Sequence, residues 1–99
     1  MVVRTWRGWT RAEDADRYVE YLRETGLKEY RATPGNRGAW VLRRVVGDRC
    51  EFVTVSVWGS FDDVRGFAGD DVERAVFYPE DDAFLVDREL SVDHWELLD

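Results

Sequence analysis

The stretch WGSFDDVRGFAGDDVERAVFYPEDD, residues 58–82, decides how the rest of the chain is read. It opens on a strand end at Trp58. Ser60 stands three residues before Asp63, a spacing at which the hydroxyl caps a free helix N–H. Phe61, Val64, Phe67 and Ala68 then form a short apolar stripe at helical spacing, and Gly69 stops it. Tyr78-Pro79 biases the chain to extended geometry, because the proline ring crowds the residue before it. A strand end, a capped helix, a glycine stop and an aromatic-proline segment are what a small α+β layer needs after a central hairpin. Residues 73–77 are expected to make one helical turn. Residues 79–85 are expected to make another, with Pro79 at its start.

The hairpin lies just upstream. Residues 39–46 and 49–58 read as strands around Gly47-Asp48, a pair suited to a type II′ turn because glycine accepts the positive φ. Val46 then pairs with Arg49, and Arg44 faces Glu51 across the ladder. One face carries Trp40, Leu42, Val53, Val55 and Val57. It is nearly pure hydrocarbon and is expected to pack on helices. The other carries Ala39, Val41, Arg43, Val45, Cys50, Phe52, Thr54, Ser56 and Trp58. That mixture suits a pocket wall or a second sheet.

Further upstream, residues 2–9 mix β-branched and aromatic side chains and read as a first strand. Thr10 and Glu13 have capping-box spacing. Ala15, Tyr18, Val19 and Leu22 fall at i, i+3, i+4 and i+7. They predict a helix at about residues 11–25 with Gly26 as a left-handed stop. Residues 28–38, with Thr33, Pro34, Gly35, Asn36 and Gly38, read as a loop. Residues 91–98 read as a last strand holding the only histidine, His94. The order β-α-β-β-α-β is that of an α+β, ferredoxin-like domain with a four-stranded antiparallel sheet and both helices on one face. The 99 residues make one such domain, residues 1–99. An open sheet face bearing Val41, Val45, Phe52 and Trp58 needs a cover. A second copy of the chain, meeting it sheet to sheet as a homodimer, supplies one.

Composition narrows the function. With 14 basic against 21 acidic residues the net charge is −7, and no basic stripe offers a grip on phosphates. Nucleic acid is therefore not an expected partner. The single cysteine, Cys50, excludes an intrachain disulfide and a multi-cysteine zinc site. No positive region precedes an apolar run and no run approaches ~18 apolar residues, so a cytoplasmic protein without membrane contact is expected. The acids at 62, 63, 70, 71, 73, 80, 81 and 82 lack the alternation, central glycine and terminal glutamate of a calcium loop, and no metal is expected. No glycine loop for phosphate, dinucleotide fingerprint or serine elbow is present. What remains is aromatic: Trp6, Tyr30, Trp40, Trp58, Phe67, Phe77, Tyr78 and Trp95, with Arg43 and His94. Such a set either fills a core and an interface or lines an apolar cavity for a flat organic ligand.

The segments WGSFDDVRGFAGDD, AVFYPEDDAFL and SVDHWEL resemble one branch of the antibiotic biosynthesis monooxygenase-like proteins. TWRGWT at the N-terminus and the TPGNRGAWVLRR loop-strand fit the same branch, so the resemblance covers nearly the whole chain. It implies a dimeric α/β barrel built from two ferredoxin-like subunits meeting through their sheets. It also implies a cofactor-independent monooxygenase-like activity. There a small aromatic or polyketide-like substrate, as enolate or phenolate, itself reacts with oxygen. Polyketide-oxidising relatives place Asn, Trp, Tyr and Arg in the cavity, matched here by type at Trp58, Tyr78 and Arg43. The catalytic groups implied are His94 or Tyr78 as acid or base, with Arg43 stabilising the anion. Trp58, Phe52, Phe67 and Phe77 would line the substrate pocket, and no cofactor is expected. Haem-degrading relatives carry an Asn on the first strand, a Trp in the second helix and a His after it. Here the first strand has no Asn, and Phe67 and Phe77 stand at the other two positions, so haem degradation ranks third among the readings the resemblance implies. A non-catalytic binding or structural homodimer of the same fold is the alternative.

Overall fold

β1 (Val2–Arg11) is the spine of the sheet in the computed structural model, which describes residues Met1–Asp99. It pairs antiparallel along its length with β3 (Arg49–Trp58), from Val2 opposite Trp58 to Arg11 opposite Arg49. β2 (Asn36–Val46) pairs with the far side of β3 and forms the free margin of the sheet. On its other side β1 takes two short strands. β4 (Leu85–Arg88) lies against Gly8 to Thr10, and β5 (Asp93–Glu96) against Val2 to Thr5. The order β2-β3-β1-β4, with β5 also on β1, is ferredoxin-like with its last strand in two pieces. The sheet thus has five strands where four were expected. β4 escapes a sequence reading because four residues are too few to show a period of two.

The hairpin forms as read. Gly47 has φ 64° and no other residue type adopts a positive φ, which leaves glycine alone at the left-handed position of the turn. Val46 opposes Arg49, and Arg44 Nε lies 2.7 Å from Glu51 Oε1. Ser60 Oγ accepts from Asp63 N–H at 3.3 Å, capping α3 (Phe61–Ala68), and Gly69 ends that helix at φ 81°.

Four expectations need correction. The Thr10 cap does not form: β1 runs on through Arg11, and the Thr10 hydroxyl donates to the Arg11 carbonyl at 2.8 Å. A 3₁₀ turn at Ala12–Asp14 leads into α1 (Ala15–Glu24) instead. Gly26 is no left-handed stop. The chain bends at Thr25, whose hydroxyl donates to the Tyr21 carbonyl at 2.7 Å, and α2 (Gly26–Ala32) begins at once. The first part of the expected loop at residues 28–38 is accordingly helix, as far as Ala32, and Asn36 already belongs to β2. Residues 73–77 make no helical turn, because Arg74 bridges to Ser91. The expected turn after Pro79 is present as α4 (Asp81–Phe84).

The fourth correction concerns the two hairpin faces. Their membership is as read, but their sides are exchanged. The helices cover Ala39, Cys50, Phe52, Thr54, Ser56 and Trp58, all buried, while Trp40 and Leu42 stay 51% and 56% exposed on the open face. Small side chains let the helices come close, and the polar ones find partners there. Tyr30 OH lies 3.5 Å from Thr54 Oγ1, and Trp58 Nε1 donates to Ser56 Oγ at 2.9 Å. One core gathers Trp6, Tyr18, Leu22, Phe52 and Leu85 around α1, with Tyr18 and Phe52 edge to face at 5.0 Å. A second gathers Leu27, Tyr30, Ala39, Trp58 and Val64 under α2 and α3.

Candidate functional site

A small cavity lies between sheet and helices, where the two cores meet. Its free volume is ≈ 20 Å³, about enough for one water. Strand β1 contributes Arg4 and Trp6, β3 contributes Thr54, α1 contributes Tyr18 and α2 contributes Tyr30. The irregular chain between α3 and α4 closes it with Val76, Phe77 and Tyr78, and Asp81 completes the wall. Gly26 packs against this wall with room to spare: a β-carbon there would make ordinary contacts, 3.8 Å from the Tyr78 ring and 3.9 Å from the Tyr30 ring.

Two charged side chains face this aromatic space. Asp81 is 4% exposed. Its carboxylate accepts from the Tyr18 hydroxyl at 3.3 Å and from Tyr78 N–H at 2.6 Å. Burial raises its pKa above the ordinary carboxylate value, and those hydrogen bonds only partly oppose the rise. Burial also pushes the phenols of Tyr18, Tyr30 and Tyr78 upward, so all three remain neutral donors. Arg4 is 2% exposed. Its guanidinium donates to the carbonyls of Val72 and of Arg74, the latter at 3.0 Å, and lies 5.9 Å from the centre of the Phe67 ring.

Behind Arg4 stands His94. Arg4 Nη1 lies 3.1 Å from His94 Nε2, and a guanidinium only donates, so Nε2 accepts and the ring proton sits on Nδ1. Burial, and then the neighbouring Arg4 charge, lower the histidine pKa. The imidazole is therefore neutral and its Nε2 is occupied.

The expected site residues are distributed unevenly. Tyr78 and Phe77 line the cavity. His94 reaches it only through Arg4. Phe67 is half-buried against Tyr30, 4.5 Å between ring centres. Phe52 and Trp58 are fully buried in the two cores. Arg43 lies elsewhere, paired with Asp16 at 2.7 Å on an open groove of ≈ 580 Å³ between α1, α2 and β2. The structure does not bring it together with Tyr78 or His94. Arg4, Tyr18 and Asp81 escaped sequence reasoning as site residues. Arg4 did leave a signal: it shares the inward register of Trp6, Gly8 and Thr10, where a charge is out of place. Asp81 left none, being one acid in a run that reads as solvated.

No group of three or more His, Cys, Asp or Glu side chains is placed to hold a metal ion. No helix is long and apolar enough to cross a membrane. No family model matches the chain, and no curated protein matches its sequence. Among solved structures it is similar to Rv0793 from Mycobacterium tuberculosis. The TM-score is 0.62 at 19% identity, covering 100% of this chain and 97% of that one. It is also similar to a mutant of MhuD with two manganese protoporphyrin IX molecules bound per active site. There the TM-score is 0.59 at 23% identity, over 100% of this chain and 97% of the other. This chain shares the fold of both neighbours. At these identities the likeness speaks for architecture and not for chemistry.

Proposed function

We propose that the chain is a homodimeric, cofactor-independent monooxygenase-like protein acting on a small aromatic or polyketide-like substrate held between sheet and helices. The observation that supports this most is Asp81, a buried carboxylate of raised proton affinity on the wall of a largely aromatic cavity. A base is most effective when its pKa moves towards the working pH, and burial moves a carboxylate that way. Asp81 takes a proton from a methylene activated by flanking rings. The electron pair left on carbon adds to dioxygen, and the resulting hydroperoxide loses water to give a carbonyl. In sum, CH₂ and O₂ become C=O and H₂O, with carbon oxidised, oxygen reduced and the Asp81 proton leaving in the water. Tyr78 and Tyr18 serve as neutral donors beside the base. Arg4 supplies the positive charge that the anion needs, with His94 behind it. The free volume takes one water, so a substrate enters only when the Val76, Phe77 and Tyr78 wall moves outward.

The dimer is part of the same reading. The open face presents Trp40, Leu42 and Trp95, at 51%, 56% and 58% exposure, beside Val53, Val55 and Val57. A second copy covers such a face with the same residues.

The test is oxygen uptake with anthrone-type or quinol substrates. Asp81→Asn is expected to cut the rate by about 10²–10⁴-fold while keeping the circular-dichroism spectrum. Uptake that survives the substitution unchanged removes Asp81 as the base. The tightness of the cavity favours a second reading, a non-catalytic binding module. Ligands that raise the melting temperature without any oxygen uptake decide for that reading.

A further inference from the structure

Arg4 is the one arginine of the chain enclosed by sheet, helices and the Asp70–Tyr78 wall, and it has no carboxylate partner. Nine ion pairs join other cations of the protein to acids, from Arg7 with Glu51 and Glu89 to Arg88 with Asp82, and none involves Arg4. A buried guanidinium without a counter-charge is costly, because neutral carbonyls return only part of its lost hydration. Of its five N–H bonds, three find partners, at the Val72 carbonyl, the Arg74 carbonyl and His94 Nε2. The fork geometry of an arginine fits two oxygens of one carboxylate better than two carbonyls from separate residues. Both carbonyls belong to the irregular segment that continues into the cavity wall at Val76, Phe77 and Tyr78.

We propose that Arg4 is the specificity-determining residue of the cavity. It selects flat aromatic ligands that carry an anionic oxygen pair, a carboxylate or an ionised keto-enol, and the Val72 and Arg74 carbonyls hold its place in the free protein. This rests on the reading of the cavity as the ligand site and adds to it the charge of the ligand. It also couples recognition to entry. An anion that takes the guanidinium releases the Val72 and Arg74 carbonyls and with them the strap that closes the wall. A neutral ligand of the same shape leaves the strap fastened.

The experiment uses 2-naphthoate and 2-naphthamide, the same ring system with and without the charge. Binding is measured by titration calorimetry, and the ring protons of His94 are followed by NMR. His94 is the only histidine, so its signals need no assignment. Naphthoate is expected to bind at least about tenfold more tightly than naphthamide, the scale of a charge-assisted hydrogen bond. The His94 signals are expected to move with it as Arg4 Nη1 turns from Nε2 to the ligand. In Arg4→Gln the preference for naphthoate is expected to vanish. If that variant does not fold, Arg4→Lys keeps the charge without the fork and is expected to lose several-fold in naphthoate affinity with naphthamide unchanged. Equal affinities in the unmodified protein, with His94 or Trp6 signals moving, overturn the role of Arg4 and leave the cavity reading standing. So does a naphthoate preference that persists in Arg4→Gln. Binding of neither compound, with His94 unmoved, overturns the cavity reading itself.

Discussion

On one side of the β2–β3 hairpin, Cys50, Thr54 and Ser56 lie beneath helices and are closed to solvent. On the other side, Trp40 and Leu42 are apolar and open. Hydrophobicity alone ranks these faces in the wrong order. The inner face is held by fit: small side chains let α1 and α2 come close, Phe52 and Trp58 fill what is left, and each hydroxyl has a partner. The outer face has area without fit inside the subunit, and such area belongs with another molecule.

The contrast can be broken first at Phe52, which is fully buried against Tyr18. Phe52→Ala is expected to cost about 3–5 kcal/mol in urea unfolding. A loss below about 1 kcal/mol would mean that the inner face is not the better-packed one. The outer face is sharpened by Trp40→Glu. It is expected to leave subunit folding within about 0.5 kcal/mol and to weaken association by about 2 kcal/mol or more. Light scattering at micromolar concentration reads this directly, as a fall from twice the subunit mass to 11.6 kDa. An unmodified protein that already scatters at 11.6 kDa removes the proposed dimer.

The smallest expected effect is a pH dependence. The pKa of His94 is held below its ordinary value by burial and by Arg4. As pH falls through about 6.5, the unfolded chain takes up that proton before the folded one does. Stability is therefore expected to decline between pH 7.5 and 5.5, and His94→Gln to flatten that part of the curve. Asp81 acts with the opposite sign and lower on the scale. Its raised pKa makes the folded state bind its proton first, which stabilises the fold as pH falls through the carboxylate range. A melting curve that rises between pH 7.5 and 5.5 would contradict the neutral, Arg4-bound histidine.

Much of the architecture was legible because it is written in local periodicity. The Ala15, Tyr18, Val19, Leu22 stripe gave α1, Gly47 gave the register of the hairpin, and Ser60 with Gly69 gave both ends of α3. The errors fall where tertiary contacts choose between local options. Thr10 has the chemistry of a cap, yet the ladder with β3 carries its backbone on as strand. Gly26 can adopt a left-handed turn, yet Thr25 makes the bend and Gly26 opens α2. The site was less legible than the fold. Arg4 and Asp81 share a cavity only because β1 and the chain after α3 are packed together. No spacing in the sequence records that meeting.

One margin of the sheet has a consequence for how this protein lives in a crowded solution. β2 is eleven residues long and offers its outer backbone groups to any other strand. Such an edge is a template for runaway chain-to-chain pairing unless something blocks it. Here Arg31 reaches from α2 to the Ala39 carbonyl, at 2.9 Å, and takes one of the acceptors an incoming strand would need. Arg37, Arg43 and Arg44 also project from this strand, Arg43 paired with Asp16 and Arg44 with Glu51. Arg31 thus stands guard at one position on the edge of a subunit whose open face is apolar.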